Sequence, residues 1–416
     1  MLRTSIRLAE GRAAPPALGR SRTRSGLTLF ILIAITALAP AALHMLVPSL
    51  PLLARVFAGT SGGVQLVLTV FLVGIAAGQL VYGPVSDRFG RRPALIAGLG
   101  LFLLGTFLCG LAWSLPVLIL GRMLEACGGC AGMVLGRAIV RDLFDRDHAA
   151  SAIATISMAM TLAPSLAPAF GAYLAEWAGW RSDFALLGML GAAVLILVSA
   201  RLPETRAKGA AIGPASAPWA FAHLLISPGF LGFALATSFT SASWFTFLAS
   251  ASYLLFELMH EPPSTYGLMI ILPMAGYMLG SGAAARFAVR LGSLRLFLCG
   301  LYLSLASGAI LILWPFLLPL SPSALFVPMA LSSIGNGLSQ PAGIAAGLSL
   351  YPRIAGAASG LLGSLQMMTA ALGTFLVGQL PRGSPLPTNL VVGSCLALAL
   401  VFGIFAIGHE RRLGRA

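Results

Sequence analysis

Twelve apolar runs, each long enough to cross a bilayer as a helix, set the terms for this chain. Their approximate limits are 27–50, 63–83, 93–113, 116–138, 150–175, 182–200, 228–256, 265–285, 294–314, 323–349, 355–379 and 388–408. A spanning helix needs roughly 20 apolar residues, and hydrocarbon requires every backbone group to find its partner within the structure, as a helix allows. Only 9% of residues are charged, 58% are hydrophobic, and Lys208 is the single lysine. A soluble protein of this length needs far more charged surface. The expectation is an all-α polytopic membrane protein with twelve transmembrane helices in two six-helix bundles.

The division into halves comes from residues 201–226, where Arg201, Glu204, Arg206 and Lys208 lie among prolines and serines. The reading is a basic, disordered cytoplasmic tail (1–26), a first bundle (27–200), a cytoplasmic linker (201–226), a second bundle (227–408) and a C-terminal tail (409–416). Trp219–Ile226 reads as an amphipathic piece lying on the membrane surface. A cleaved signal peptide competes for the N-terminus, with Leu27–Thr36 as its apolar region and Ala37-x-Ala39 as the cleavage site. The apolar run continues to Val47, however, which favours an uncleaved span.

The net charge of +14 invites a nucleic-acid reading, but the arginines come in short groups between apolar runs and form no helical stripe. Topology accounts for them. Twelve spans put both termini on one side, and that side receives 22 of the 26 lysines and arginines. The opposite side receives Arg55, Arg181 and Arg382, and Arg122 alone falls inside a span. The positive-inside bias places the termini in the cytoplasm.

Gly83-Pro84-Val85-Ser86-Asp87-Arg88-Phe89-Gly90-Arg91-Arg92-Pro93 places four ionised groups between two spans, so it must be a connection held at one membrane face. Gly83 and Gly90 permit a tight reversal there, and Pro93 suits the first turn of the next helix. Gly280 to Gly292 echoes this stretch in the second half, keeping glycines and two arginines (Arg286, Arg290) but no aspartate. Matching loops on one face fit two parallel six-helix repeats, a transporter architecture.

Enzyme chemistry finds little support. There is no Walker loop and no HExxH, and Cys127-Gly-Gly-Cys130 has no second cysteine pair or histidine cluster beside it, so no cofactor or metal is expected. The small-xxx-small runs Gly128–Gly132–Gly136, Gly276–Gly280 and Gly356–Gly360 read as helix-packing surfaces.

The chain resembles the major facilitator superfamily, and within it the drug:proton antiporters of the bicyclomycin and chloramphenicol resistance type. Gly83-Pro-Val-Ser-Asp87-Arg88-Phe-Gly90-Arg91-Arg92 is similar to the family's loop between helices 2 and 3. Gly78-Gln79-Leu-Val-Tyr82 precedes it. Gly121-Arg122-x-x-Glu125-Ala-x-Gly128-Gly129-x-Ala-Gly132-Met133 and Arg137-Ala-Ile-Val-Arg141-Asp142-Leu-Phe144 fit helix 4 and its exit. Ala163-Pro164-x-Leu-Ala-Pro168-x-x-Gly171 fits helix 5, and Gly335-Asn336-Gly337-x-x-x-Pro341 is similar in the second half. Three positions depart from the pattern: His44 stands where an aspartate is usual, Glu125 where a glutamine is usual, and Ala172 where a second glycine is usual.

Candidate roles follow from the residues and the resemblance together. Arg122 and Glu125 are three residues apart on one helix face and too costly to leave facing lipid, which suits either a static ion pair or a group whose protonation competes with substrate. His44 titrates in the physiological range and is the other proton-coupling candidate. Gln79, Tyr82, Trp244, Phe247, Asn336, Gln340 and Gln366 are expected to line the substrate cavity. Gly83, Asp87, Arg88, Gly90, Arg91 and Arg92 form the cytoplasmic gate, with Asp87 facing the positive end of the helix beginning near Ala355. The resemblance makes Pro164, Pro168 and Gly171 the helix 5 device that biases an antiporter against leak.

The resulting expectation is a monomeric, proton-coupled multidrug efflux transporter of a bacterial inner membrane. It exports small amphiphilic molecules by alternating access, with the lipid bilayer and no nucleic acid as partner. Proton-coupled uptake of a nutrient is the alternative, disfavoured by the thin polar cluster. A membrane-embedded enzyme lacks a nucleophile–base or metal constellation.

Overall fold

The structure is a computed structural model that describes residues 22–57, 61–143, 146–206, 218–317, 319–381 and 383–412. Twelve long helices carry it, labelled here α1 (Arg22–Met45), α2 (Ser61–Phe89), α3 (Arg91–Gly110), α4 (Leu115–Leu143), α5 (Arg146–Ala178) and α6 (Arg181–Arg201), then α7 (Pro228–Tyr253), α8 (Ile271–Leu291), α9 (Ser293–Leu317), α10 (Pro322–Ser349), α11 (Ala355–Gln379) and α12 (Leu386–Arg412). Ten helical stretches among the described residues are long and apolar enough to cross a membrane. The other two long helices are α5, some of whose side chains are not described, and α10. Ser332, Ser333, Asn336, Ser339 and Gln340 make α10 too polar to qualify on hydropathy. The protein is a multi-pass membrane protein.

Most of the expected N-terminal tail, the middle of the linker (207–217) and residues 413–416 lie outside the described residues. Within the described part, α1 starts at Arg22 and α12 continues to Arg412. The linker ends in a short helix, Pro218–Leu225, which exposes Trp219, Leu225 and Ile226 while burying Ala220 and Leu224.

The helices pack as a repeat. In the first half α2 lies on α4, α3 on α4 and α6, and α1 on α4, α5 and α6. Each contact recurs six helices later: α8 on α10, α9 on α10 and α12, and α7 on α10, α11 and α12. Glycines let these backbones close. A Cβ at Gly132 would meet the Ile35 carbonyl of α1, and one at Gly280 would meet the Ile334 carbonyl of α10. The runs Gly128–Gly132–Gly136 and Gly276–Gly280 are therefore helix contacts, whereas in Gly356–Gly360 only Gly360 meets another helix, at Gln79, and Gly356 is exposed. Cys130 belongs to the first run, with its thiol against the Ile75 carbonyl.

The halves meet most firmly on the face away from the start of α1 and the end of α12. There, Tyr253 Oη donates to the Leu50 carbonyl at 3.3 Å and Ser264 N–H to Glu176 Oε1 at 3.0 Å. Arg55 lies 4.5 Å over the Phe256 ring, and Gly62 abuts the Gly378 backbone. This far face is sealed by the turn Val47–Ser49, the short helix Leu50–Val56 and the short helix Pro263–Met269. Toward the termini face the cross-half packing is carried by α2 on α11, where Gln79 approaches Gly360 and Gly363.

One local expectation is corrected. The stretch from Gly83 is no loop: α2 runs on through Pro84 to Phe89, and the reversal falls on Gly90 alone, at φ +103°. Only a residue without Cβ takes that conformation readily. Arg91 and Arg92 open α3 with Pro93 behind them, as its missing N–H permits. Gly292, at φ +82°, makes the equivalent break between α8 and α9.

Candidate functional site

The first half carries charge in its interior. Arg122 and Glu125, on one face of α4, are fully buried, and Arg122 Nη1 donates to Glu125 Oε2 at 2.7 Å. The same nitrogen lies 3.2 Å from the Ala42 carbonyl of α1, and the guanidinium stacks 4.0 Å over the Phe71 ring of α2. Thr106 of α3 donates to Glu125 Oε1 at 3.0 Å. Four helices therefore converge on one ion pair. Two guanidinium nitrogens, Nε and Nη2, have no hydrogen-bond partner among the described residues. Breaking such a buried pair from one side typically costs about 3–5 kcal/mol, because the remaining charge is stranded.

His44 lies near the far end of α1. Its Nδ1 donates to the Pro40 carbonyl at 2.9 Å, its Nε2 is unpartnered, and its ring stands 6.2 Å from Phe245 on α7. It thus sits where the first half touches the second, separate from the Arg122–Glu125 ion pair.

The second half offers neutral polarity instead. Gln340 on α10 reaches α7, donating toward Ser241 Oγ at 2.8 Å, Thr240 Oγ1 at 3.0 Å and the Thr237 carbonyl at 3.1 Å. Gln366 on α11 donates to Gln340 Oε1 at 3.1 Å. These two amides, both half-buried, join three helices. Asn336 is nearly buried and takes the Ser304 hydroxyl of α9, so it binds helix to helix. Most α7 hydroxyls donate to carbonyls three or four residues back, as in Thr237, Thr240 and Ser250. Trp244 is half-buried, whereas Phe247 is packed edge-on to Phe326 in the core. Gln79 lies at the α2–α11 contact, and Tyr82 points its hydroxyl toward Gly98 of α3.

At the termini face the expected gate residues form a clasp within the first half. Asp87 pairs with Arg91 Nη1 at 2.7 Å, and Arg91 Nε reaches Asp142 Oδ2 at the end of α4 at 3.2 Å. Glu204, just past α6, accepts the backbone N–H groups of Arg91 at 3.0 Å and Arg92 at 3.2 Å, capping α3. Arg206 donates to the Arg88 carbonyl, and Thr205 to Asp142. Partial burial works against the Glu204 charge, yet the N–H groups of Arg206, Arg91, Arg92 and Thr205 outweigh it and hold the carboxyl below the usual glutamate range. Among the described residues Asp87 makes its ion pair inside its own half, with none to the start of α11.

Of the helix 5 residues, Gly171 falls at the far-face contact. Pro164 and Pro168 lie inside a continuous α5, and a Cβ at Gly171 would meet the Met45 carbonyl of α1. Beside them, Ala169 and Ala172 face Gly267 of the second half. Two groups went unnoticed in the sequence. Glu204 read only as a linker charge, although its place in Pro203-Glu204-Thr205-Arg206 directly after a span was visible. Asp183, in Trp180-Arg181-Ser182-Asp183 at the start of a span, carried no pattern of its own and is fully buried.

Two repeated six-helix units, the first holding a buried charge pair, are the architecture of a secondary transporter. The chain belongs to the Major Facilitator Superfamily, whose family model matches residues 32–374. It is 28% identical over 368 residues to Multidrug resistance protein D of Escherichia coli K12, covering 87% of this chain and 91% of that protein. It is 28% identical over 378 residues to a Bicyclomycin resistance protein homolog of Haemophilus influenzae, covering 90% and 94%. The fold is similar to a crystal structure of a bacterial homologue of the human lysosomal transporter Spinster in an inward-facing, occupied conformation. There the TM-score is 0.73 at 16% identity, covering 94% of this chain and 98% of that one.

Proposed function

We propose that this transporter exports small amphiphilic drugs across a bacterial inner membrane in exchange for protons, acting as a monomer with both termini in the cytoplasm. The buried Arg122–Glu125 pair carries the reading. A guanidinium and a carboxylate inside a membrane bundle are costly unless used, and a carboxylate that can trade its guanidinium for a proton suits antiport. The drug-resistance names of the relatives support export, and the arginine asymmetry supports cytoplasmic termini.

The working division is a first bundle at 27–200, the 201–226 linker and a second bundle at 227–408. Glu125, Arg122 and His44 manage the proton. Gln340, Gln366 and Trp244 offer substrate contacts between the halves, and the Gly83–Arg92 stretch gates the cytoplasmic end. Rocking the two halves about the centre alternates access.

The test is drug accumulation in an efflux-deficient host, with and without a protonophore, for wild type, Glu125→Gln and His44→Ala. Lower accumulation in wild-type cells, abolished by the protonophore, is expected. Equal accumulation in expressing and empty-vector cells across a broad panel would sink the efflux reading. Full proton-coupled activity in Glu125→Gln would make Glu125 structural and move the role to His44.

A further inference from the structure

The buried charges of the first half do not balance. One guanidinium, Arg122, stands with two carboxylates, Glu125 and Asp183, and all three are fully buried. Glu125 has Arg122 at 2.7 Å and the Thr106 hydroxyl at 3.0 Å. Asp183 has far less. The Ser49 hydroxyl lies 3.5 Å from its Oδ2, at the limit of hydrogen-bond range, and its Oδ1 has no partner. Among the described residues no charged side chain forms an ion pair with it. His44, the titratable group of this part of α1, donates to Pro40 and gives Asp183 nothing. Two negative charges against one positive are unfavourable away from water. A single proton removes the imbalance, and the carboxylate with fewer donors is the place for it.

The surroundings of Asp183 link it to access. Ser49 ends the turn Val47–Ser49, and the next residue, Leu50, accepts the Tyr253 hydroxyl of the other half at 3.3 Å. One short turn therefore touches the carboxylate on one side and the far-face seal on the other. Three residues before Asp183 in the chain, buried Trp180 packs edge-on with Phe57 and Phe184.

We propose that Asp183 is a proton-accepting site of this transporter, loaded from the far side through Ser49 when the Leu50–Tyr253 contact opens. A hydronium ion outside gives its proton to the carboxylate, leaving water and a neutral acid. After the far face closes, the acid gives that proton to water reaching it from the bundle interior and the carboxylate is restored. The turn Val47–Leu50 couples the two events, because Ser49 reads the carboxylate while Leu50 holds the seal. This assignment rests on the antiport reading above. An acid in the first turn of α6 also suits the helix dipole, a purely structural role that leaves proton flux unchanged.

Proteoliposomes with an entrapped pH dye separate these roles. The probe is whichever of ethidium, chloramphenicol and norfloxacin the wild type clears. In Asp183→Asn, protons moved per drug molecule should fall at least ~10-fold, with drug affinity by tryptophan fluorescence held within about two-fold. Asp183→Glu should restore proton movement, and Ser49→Ala should slow it. Proton movement in Asp183→Asn equal to wild type overturns the assignment and leaves antiport standing. Should Asp183→Asn fail to fold by thermal melting, Ser49→Ala decides, and unchanged proton flux there overturns the assignment. A wild type that exports drug without moving protons, or clears none of the probes, removes the antiport reading and this assignment together.

Discussion

The two halves share one packing plan yet are filled differently. In the first, the interior holds Arg122, Glu125, Asp183 and His44, four titratable side chains with few neutral partners. The corresponding region of the second holds neutral groups: Gln340 bonds Gln366 and α7 hydroxyls, and Asn336 takes Ser304. Most α7 hydroxyls donate to their own backbone, while Ser238, Thr246 and Ser252 have no partner among the described residues. The junctions at the termini face differ in the same way. Gly90 is surrounded by Asp87, Arg91, Asp142 and Glu204, whereas Arg286, Arg290 and Arg295 around Gly292 form no ion pair among the described residues. Helix packing asks only for shape, so a repeat can keep its geometry while its halves take on different chemistry. Under the proposed function, the first half handles the proton and the latch and the second contacts substrate.

That division can be broken most forcefully at Arg122. Arg122→Ala strands Glu125 and should lower stability by about 3–5 kcal/mol, read as thermal melting in detergent, with export lost. Glu125→Gln keeps shape and the hydrogen bond from Thr106 but leaves Arg122 without its counter-charge, so it should melt lower than wild type and lose at least ~10-fold of proton-driven export. If it also weakened drug binding to the same degree, the division between halves would fail.

The second half should give the opposite pattern. Gln340→Ala removes contacts to three α7 groups and should weaken drug affinity by roughly 1–2 kcal/mol, leaving protons per drug unchanged. Asp87→Asn should slow turnover while sparing affinity. Unchanged turnover would argue against a latch.

The smallest effect concerns Glu204. Its carboxyl is held below the usual range when folded, so its contribution is present above the unfolded glutamate pKa and is lost as pH falls through the folded value. Because the group is exposed, the difference between wild type and Glu204→Gln should stay under about 1 kcal/mol. It should be visible by melting at neutral pH and vanish in acid. A gap that persists in acid would assign Glu204 a role other than its charge.

The sequence determined a great deal without help. Run lengths set the number of spans, since hydrocarbon thickness and helix rise leave little choice. The glycine pairs marked the seams, and Arg122 with Glu125 declared a buried pair because nothing else tolerates charge at that depth. Tertiary structure alone decided the rest. It extended α2 to Phe89 and left the reversal to Gly90, because a helix ends where the chain can turn, not where charge begins. It brought Glu204 onto the start of α3, 113 residues away in the chain, and buried Asp183 beside Ser49, 134 residues away. Neither pairing has a local pattern. A carboxylate near the end of an apolar run has the same sequence signature whether it meets water or another helix, and only packing settles which.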